Sequence, residues 1–236
     1  MKTFALALAA ALALAFGVYD YASFGNRARA WLLAHPEVME EAAQRLQAKA
    51  QAQEAADEQQ AAAELPRLRA AIERDPNDFV ANPNGRVTVT EFFDYRCPHC
   101  AHIAPQVLNL IRTRPEVRFV FKEMPIFGPT SEHAARAALA VKAAGGDYLG
   151  LYRRFMETRP LDDADIDAIA EKMGARPADL RSDPAADRHI AETTALFTRL
   201  RLGGTPTFIV GDDIIPGEDM DAIMADIAKQ RGAASA

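Results

Sequence analysis

Two cysteines, Cys97 and Cys100, make up the whole thiol complement of this 236-residue chain, and they stand in FFDYRCPHCAHIAP with Pro98 and His99 between them. Such a pair can serve as a structural staple, half a metal clamp or a redox centre. A staple is poorly motivated, because a chain this long buries an adequate core without disulfides. Closing so short a loop also constrains the unfolded chain little. A structural zinc site needs two further ligands, and no second cysteine pair or suitably spaced histidine pair follows. His99 and His102 beside the thiols leave capture of a soft ion such as Cu(I) as an alternative, with no resident metal expected.

The redox reading places two thiols on the first turn of a helix, where they can meet in a strained disulfide. The helix N-terminus offers unpaired N–H groups and partial positive charge to Cys97. His99 can donate to the sulfur or carry charge beside it, and Cys100 can donate its S–H. Together these lower a thiol pKa from about 8.5 into a range of roughly 3.5 to 7.5. A stabilised thiolate stabilises the reduced protein and makes the disulfide a better oxidant. Cys97 is expected to be the exposed attacking thiol, with Cys100 one turn deeper to resolve the adduct. Thiol transfer of this kind needs no cofactor.

The flanking elements fit that placement. RVTVTEFFDY alternates and is rich in β-branched and aromatic residues, so Arg86–Phe93 reads as a strand. AHIAPQVLNLIRT then shows helical periodicity. Val117–Pro125 reads as a second strand. Helices follow at Ser131–Ala144, Tyr148–Glu157, Ile166–Met173 and about Ala185–Leu200. TPTFIVGDDIIPG supplies a strand, a turn at Gly211-Asp212-Asp213 and a short strand, and Asp219–Gln230 closes as a helix. The order is that of an α/β layered domain with a helical insertion at about 126–202. Pro206, after Gly203-Gly204-Thr205, stands where a strand can accept a proline, at its start.

Upstream, RAWLLAHPEVMEEAAQRLQ begins a long helix. Pro36 suits a first helical position, and Glu37, Glu40 and Glu41 favour the positive end of the dipole. Leu32, Leu33, Val38, Met39, Ala42 and Leu46 form an apolar stripe. From Gln47 to Ala63 only alanine supplies apolar surface, so residues 23–75 read as an extended arm. The arm either lies solvated along the domain or self-associates through its stripe. Pro66 and the turn-rich DPNDFVANPNG, Asp75–Gly85, punctuate the chain, and a second unit, 76–236, starts there. Residues 1–22 carry an uncharged Ala/Leu-rich run with a small-x-small site at Ala13-Leu14-Ala15, as in an export signal or a marginal N-terminal anchor. A formal net charge of -6 leaves no basic footprint for nucleic acid. His35, His102, His133 and His189 read as surface or helix-face residues.

EFFDYRCPHC followed much later by GGTPTFIVG resembles the thioredoxin superfamily, and its DsbA-like branch in particular, where Pro98-His99 is the DsbA-type dipeptide. The long helical insertion between Pro125 and Thr205 is similar to that branch. The resemblance implies a thioredoxin fold in which Thr205-Pro206 is the cis-proline loop facing Cys97 and pairing with an extended client segment. It also implies that Glu91 and Lys122 form a buried charged pair beneath the redox centre. RAWLLAHPEVMEEAAQRLQ is similar to the N-terminal segment of ScsC-type (suppressor of copper sensitivity) proteins, some of which trimerise and act as disulfide isomerases. Threonine before the proline is typical of the isomerase side; DsbA carries valine. The expectation is thus a periplasmic ScsC-like disulfide isomerase or reductase, trimeric through its arm, acting on client proteins. A membrane reductase of the ScsB or DsbD kind would keep it reduced. A monomeric DsbA-like oxidase and a copper-binding or copper-tolerance protein are the alternatives.

Overall fold

A computed structural model of the chain describes residues 24–233, and the N-terminal run read as signal or anchor lies outside the described residues. Residues 24–34 form α1, and α2 (Pro36–Glu73) follows directly. The remaining order is β1 (Phe79–Ala81), β2 (Val87–Phe93), α3 (Pro98–Thr113), β3 (Val117–Glu123), α4 (Pro129–Ala143), α5 (Tyr148–Glu157), α6 (Asp163–Lys172), α7 (Pro177–Arg181), α8 (Pro184–Arg199), β4 (Thr207–Val210), β5 (Asp213–Pro216) and α9 (Met220–Ala233). Among the described residues no helix is long and apolar enough to cross a membrane.

The sheet runs β1-β3-β2-β4-β5, with β2 and β3 parallel at its centre and the other three strands added antiparallel. Every residue of β3 is buried, and only Thr88 of β2 is partly open. Strands buried on both faces require a helical layer on each. On one face Val89, Phe93, Phe119 and Phe121 pack against α3, α5 and α9 through Ile103, Val107, Tyr152, Phe155, Ile223 and Ile227. On the other, Phe92 and Ile209 meet Leu196 and Phe197 of α8, Leu200 just after it, and Leu65 and Ile72 of α2. The expected thioredoxin-like α/β architecture with helical content is therefore the observed one, and α4–α8 occupy the stretch read as the insertion, about 126–202.

Two local readings need correction. Pro66 does not end the arm helix, which continues to Glu73 with Pro66 inside it. A proline inside a helix costs about 3 kcal/mol, and burial of Leu65 and Ile72, each 1% exposed, returns roughly 1.5–3 kcal/mol per side chain. The compact unit that carries the thiols accordingly starts at Asp57, with the described residues before it forming a second unit. The turn-rich stretch also holds a strand, β1, whose three residues pair with Phe119–Phe121. Three residues between breaker clusters give no periodicity to read. The short α7 went unread for the same reason. In the N-terminal unit Phe24, Trp31, Leu33, Met39 and Leu46 are all exposed.

Candidate active site

β2 ends at Phe93, and the chain turns through Asp94-Tyr95-Arg96 so that Cys97 becomes the N-cap of α3 and Pro98 its first helical residue. Proline is suited there because its missing N–H would have no helical partner. Asp94 builds the turn. Its buried carboxylate accepts from Arg96 N (2.7 Å), Ile126 N (2.7 Å), Phe127 N (3.0 Å) and Ser131 Oγ (2.9 Å). One side chain therefore fastens the loop after β2 to the loop after β3. Four donors on one carboxylate make a rigid seat, at a residue outside the site expected from sequence.

The thiols are free in the structure, and both are buried. Cys97 is 2% exposed, which corrects the expectation of an open thiol. Its cover comes from the loop before β4, where the Cys97 thiol donates to the Thr205 carbonyl at 3.2 Å. The Thr205–Pro206 bond is cis. Gly217, at φ +79, donates its N–H to the Pro206 carbonyl at 2.8 Å, and so joins this loop to the turn after β5.

The two sulfurs ionise in opposite directions. Cys97 is lowered to about 5 by the Cys100 thiol above all, against a cost of burial, with further help from the Thr205 side chain and the backbone N–H groups of Cys100 and His99. Those two amides are the second and third of α3, the donors an N-cap side chain receives. The Cys97 side chain makes no capping hydrogen bond as it stands, but a thiolate there is an anion at the positive end of α3. The Thr205 hydroxyl is buried with no hydrogen-bond partner, which leaves it a free donor beside an ionised sulfur. Cys100 is pushed far up, first by burial, then by its bond to Cys97 and the charge of Glu91.

Beneath the thiols the expected Glu91–Lys122 pair does not form. Glu91 stands beside Phe121 in the β2–β3 register, and Lys122 beside Phe92. One residue of offset turns the two side chains to opposite faces of the sheet. Lys122 meets Asp78 at 2.6 Å and donates to the Ala71 carbonyl at 2.7 Å. Glu91 keeps the thiol side. It accepts from Tyr152 Oη at 3.4 Å, while its Oε1 is buried without a partner. Burial raises its carboxyl to about 8, with the Cys97 charge adding to the rise. The carboxyl is mostly protonated at neutrality, and its ionised fraction, within electrostatic reach of Cys100 and growing toward pH 8, can accept the Cys100 proton.

His99 works through its backbone. Its imidazole, like that of His102, donates from Nδ1 to Glu218, one carboxylate oxygen each. The expected contact between the His99 ring and sulfur is absent from the described contacts. Glu218 follows Gly217 in the turn after β5, and nothing in the sequence signalled its arrival here. Arg159 is a second unread neighbour. Its guanidinium donates to the Tyr95 carbonyl at 3.0 Å and lies within electrostatic reach of both sulfurs. Two other histidines read as idle are engaged: His133 with Asp167 at 2.8 Å and buried His189 with Asp78 at 3.0 Å.

Residues 88–228, more than half of the chain, match the family described as the DSBA-like thioredoxin domain. Residues 20–53 match the copper resistance protein ScsC N-terminal domain. Among solved structures, a thioredoxin-like oxidoreductase from Silicibacter pomeroyi is 35% identical and superposes with a TM-score of 0.64, covering 70% of this chain and 98% of that one. Proteus mirabilis ScsC in a transitional conformation is 28% identical, with a TM-score of 0.66 over 86% of this chain and 90% of that one. A curated relative, the Na(+)/H(+) antiporter NhaA 1 of Salinispora arenicola, is 30% identical over 152 residues, 58% of this chain. The chain spans only 22% of the length of that relative.

Proposed function

Because the chain belongs to the DSBA-like thioredoxin domain family, we propose that it is an exported, periplasmic thiol–disulfide oxidoreductase and, within that class, a ScsC-like disulfide isomerase or reductase. The observation that carries the reading is the opposed ionisation of the two buried sulfurs, Cys97 down to about 5 and Cys100 well up. At neutral pH only Cys97 is a nucleophile. Its thiolate attacks one sulfur of a client disulfide, a mixed disulfide forms, and the other client sulfur leaves as a thiolate. A client thiol then attacks the mixed disulfide, which isomerises the client with no net electron transfer. If none arrives, Cys100 loses its proton, which the ionised minority of Glu91 can take, and attacks Cys97 Sγ. The client departs reduced by two electrons, leaving a Cys97–Cys100 disulfide.

Client backbone would lie along Thr205-Pro206, with exposed Ile126 and Phe127 offering apolar surface beside the Asp94 seat. The isomerase role is supported by the match of residues 20–53 to the ScsC N-terminal domain and by the exposed apolar residues of the N-terminal unit. Trimerisation through that unit would gather several thiols around one client and raise their effective concentration. A membrane reductase of the ScsB or DsbD kind would return Cys97–Cys100 to the dithiol. Monomeric DsbA-like oxidation is the rival reading, favoured by the low Cys97 value, which raises oxidising power.

One comparison separates them. Full-length chain and chain lacking the residues before Asp57 are assayed for refolding of a scrambled disulfide substrate and for oxidation of a reduced one, with Cys97→Ser as the blank. Loss of the first activity with retention of the second on truncation supports the isomerase. Unchanged refolding by the truncated chain refutes it. Activity in Cys97→Ser refutes the thiol chemistry itself.

A further inference from the structure

The charge that Lys122 brings to the other face of the sheet is part of a cluster the thiol chemistry does not use. Asp78 and His189 are 4% and 3% exposed. His189 Nε2 meets Asp78 Oδ1 at 3.0 Å, and Asp78 Oδ2 lies 2.6 Å from Lys122 Nζ. The other imidazole nitrogen, Nδ1, is buried, has no hydrogen-bond partner and faces Asp75 Oδ2 at 3.6 Å. Asp75 uses only its Oδ1 locally, accepting from Asn77 N at 2.8 Å. Glu192 stands three residues after His189 on α8, hence on the same helix face. One ligand atom from each of Asp75, His189 and Glu192 lies within 4.8 Å of the others.

We propose that Asp75, His189 and Glu192 form a binding site for one divalent cation of zinc-like preference, with water completing the shell. One imidazole nitrogen and two carboxylate oxygens suit a borderline ion better than Cu(I), which selects sulfur, or Ca²⁺, which selects an all-oxygen shell. Asp78 holds the second ring nitrogen, the carboxylate–histidine arrangement that fixes tautomer and orientation behind a bound metal. With the imidazole neutral, three carboxylates face one ammonium, and a divalent ion balances the remaining charge. Lys122 makes its short contacts with Asp78 and the Ala71 carbonyl and stands 4.0 Å from Asp75 Oδ2. A bound ion would tie the segment after α2 to α8.

The test is zinc titration of the full-length chain carrying Cys97→Ser and Cys100→Ser, so that the thiols cannot take the ion. One equivalent binds with micromolar or tighter affinity. Zinc at a hundredfold excess over its dissociation constant raises the folded-to-unfolded ratio about a hundredfold. Glu192 is exposed, so Glu192→Gln keeps the fold, verified by circular dichroism, yet weakens binding at least tenfold. Asp78→Asn weakens it roughly ten- to hundredfold through the orienting bond. Substoichiometric or millimolar binding overturns the site. So does tight binding that survives Glu192→Gln, which would place the ion elsewhere, for instance on His99, His102 and Glu218.

Discussion

Replacing Thr205 by valine tests how the loop before β4 tunes the nucleophile. The substitution keeps the side-chain shape and the backbone carbonyl that accepts the Cys97 thiol at 3.2 Å, and deletes only a hydroxyl. That hydroxyl is buried without a hydrogen-bond partner and helps hold Cys97 at about 5, after the larger contribution of the Cys100 thiol. A hydrogen bond to a charged acceptor contributes about 1.5–3 kcal/mol, and sulfur, a diffuse acceptor, belongs at the low end. At 1.36 kcal/mol per pKa unit, Thr205→Val raises Cys97 by about one unit, to about 6. The reduced form loses the same stabilisation, so the disulfide becomes less oxidising by roughly 30 mV. Thiolate absorbance against pH measures the first quantity, and equilibration with glutathione the second. A Cys97 value that stays put or falls, with the fold intact, refutes the hydroxyl's role as a thiolate donor.

Glu91→Gln removes a carboxyl held at about 8 by burial. Between about pH 4.5 and 8 the unfolded chain has lost this proton and the folded protein keeps it, so the parent loses stability as pH rises through that window, by at most about 5 kcal/mol. The stability difference between Glu91→Gln and parent should therefore grow toward pH 8 in denaturant titrations, and parallel curves would contradict it. Slower release of mixed disulfides should accompany the change as pH approaches 8, where Glu91 ionises and can take the Cys100 proton. Asp94→Ala strands three backbone N–H groups and the Ser131 hydroxyl. At about 1–3 kcal/mol for each buried donor left unsatisfied, it should cost at least ~3 kcal/mol of stability by urea unfolding, and a loss under ~1 kcal/mol would show the seat to be solvated.

What the sequence disclosed followed from local pattern. Alternation in RVTVTEFF and helical spacing after Cys100 were enough to put the thiols at a strand-to-helix junction, because both signals lie within a dozen residues of the site. The arrival of Thr205 over Cys97 rested on family resemblance, since 108 residues separate them. Where tertiary packing overrode local preference, the reading slipped. Pro66 marks a break until the burial of Leu65 and Ile72 is known, and β1 is too short to show a period. The supposed Glu91–Lys122 pair failed on register, which no single strand encodes. Asp94, Glu218 and Arg159 act through contacts made by folding. Only the D-x-R step between β2 and Cys97, where Asp94 Oδ1 receives the Arg96 N–H, carried a local hint of an Asx turn.

The claim beneath all of this is that Cys97 alone is a thiolate at neutral pH. Alkylation of the fully reduced chain at graded pH, with each adduct located by mass spectrometry, measures it directly. The account predicts modification at Cys97 with a midpoint at about 5 and a Cys100 that stays unmodified through neutrality. A Cys97 midpoint near the ordinary thiol value of about 8.5, or equal labelling of both cysteines, would contradict it.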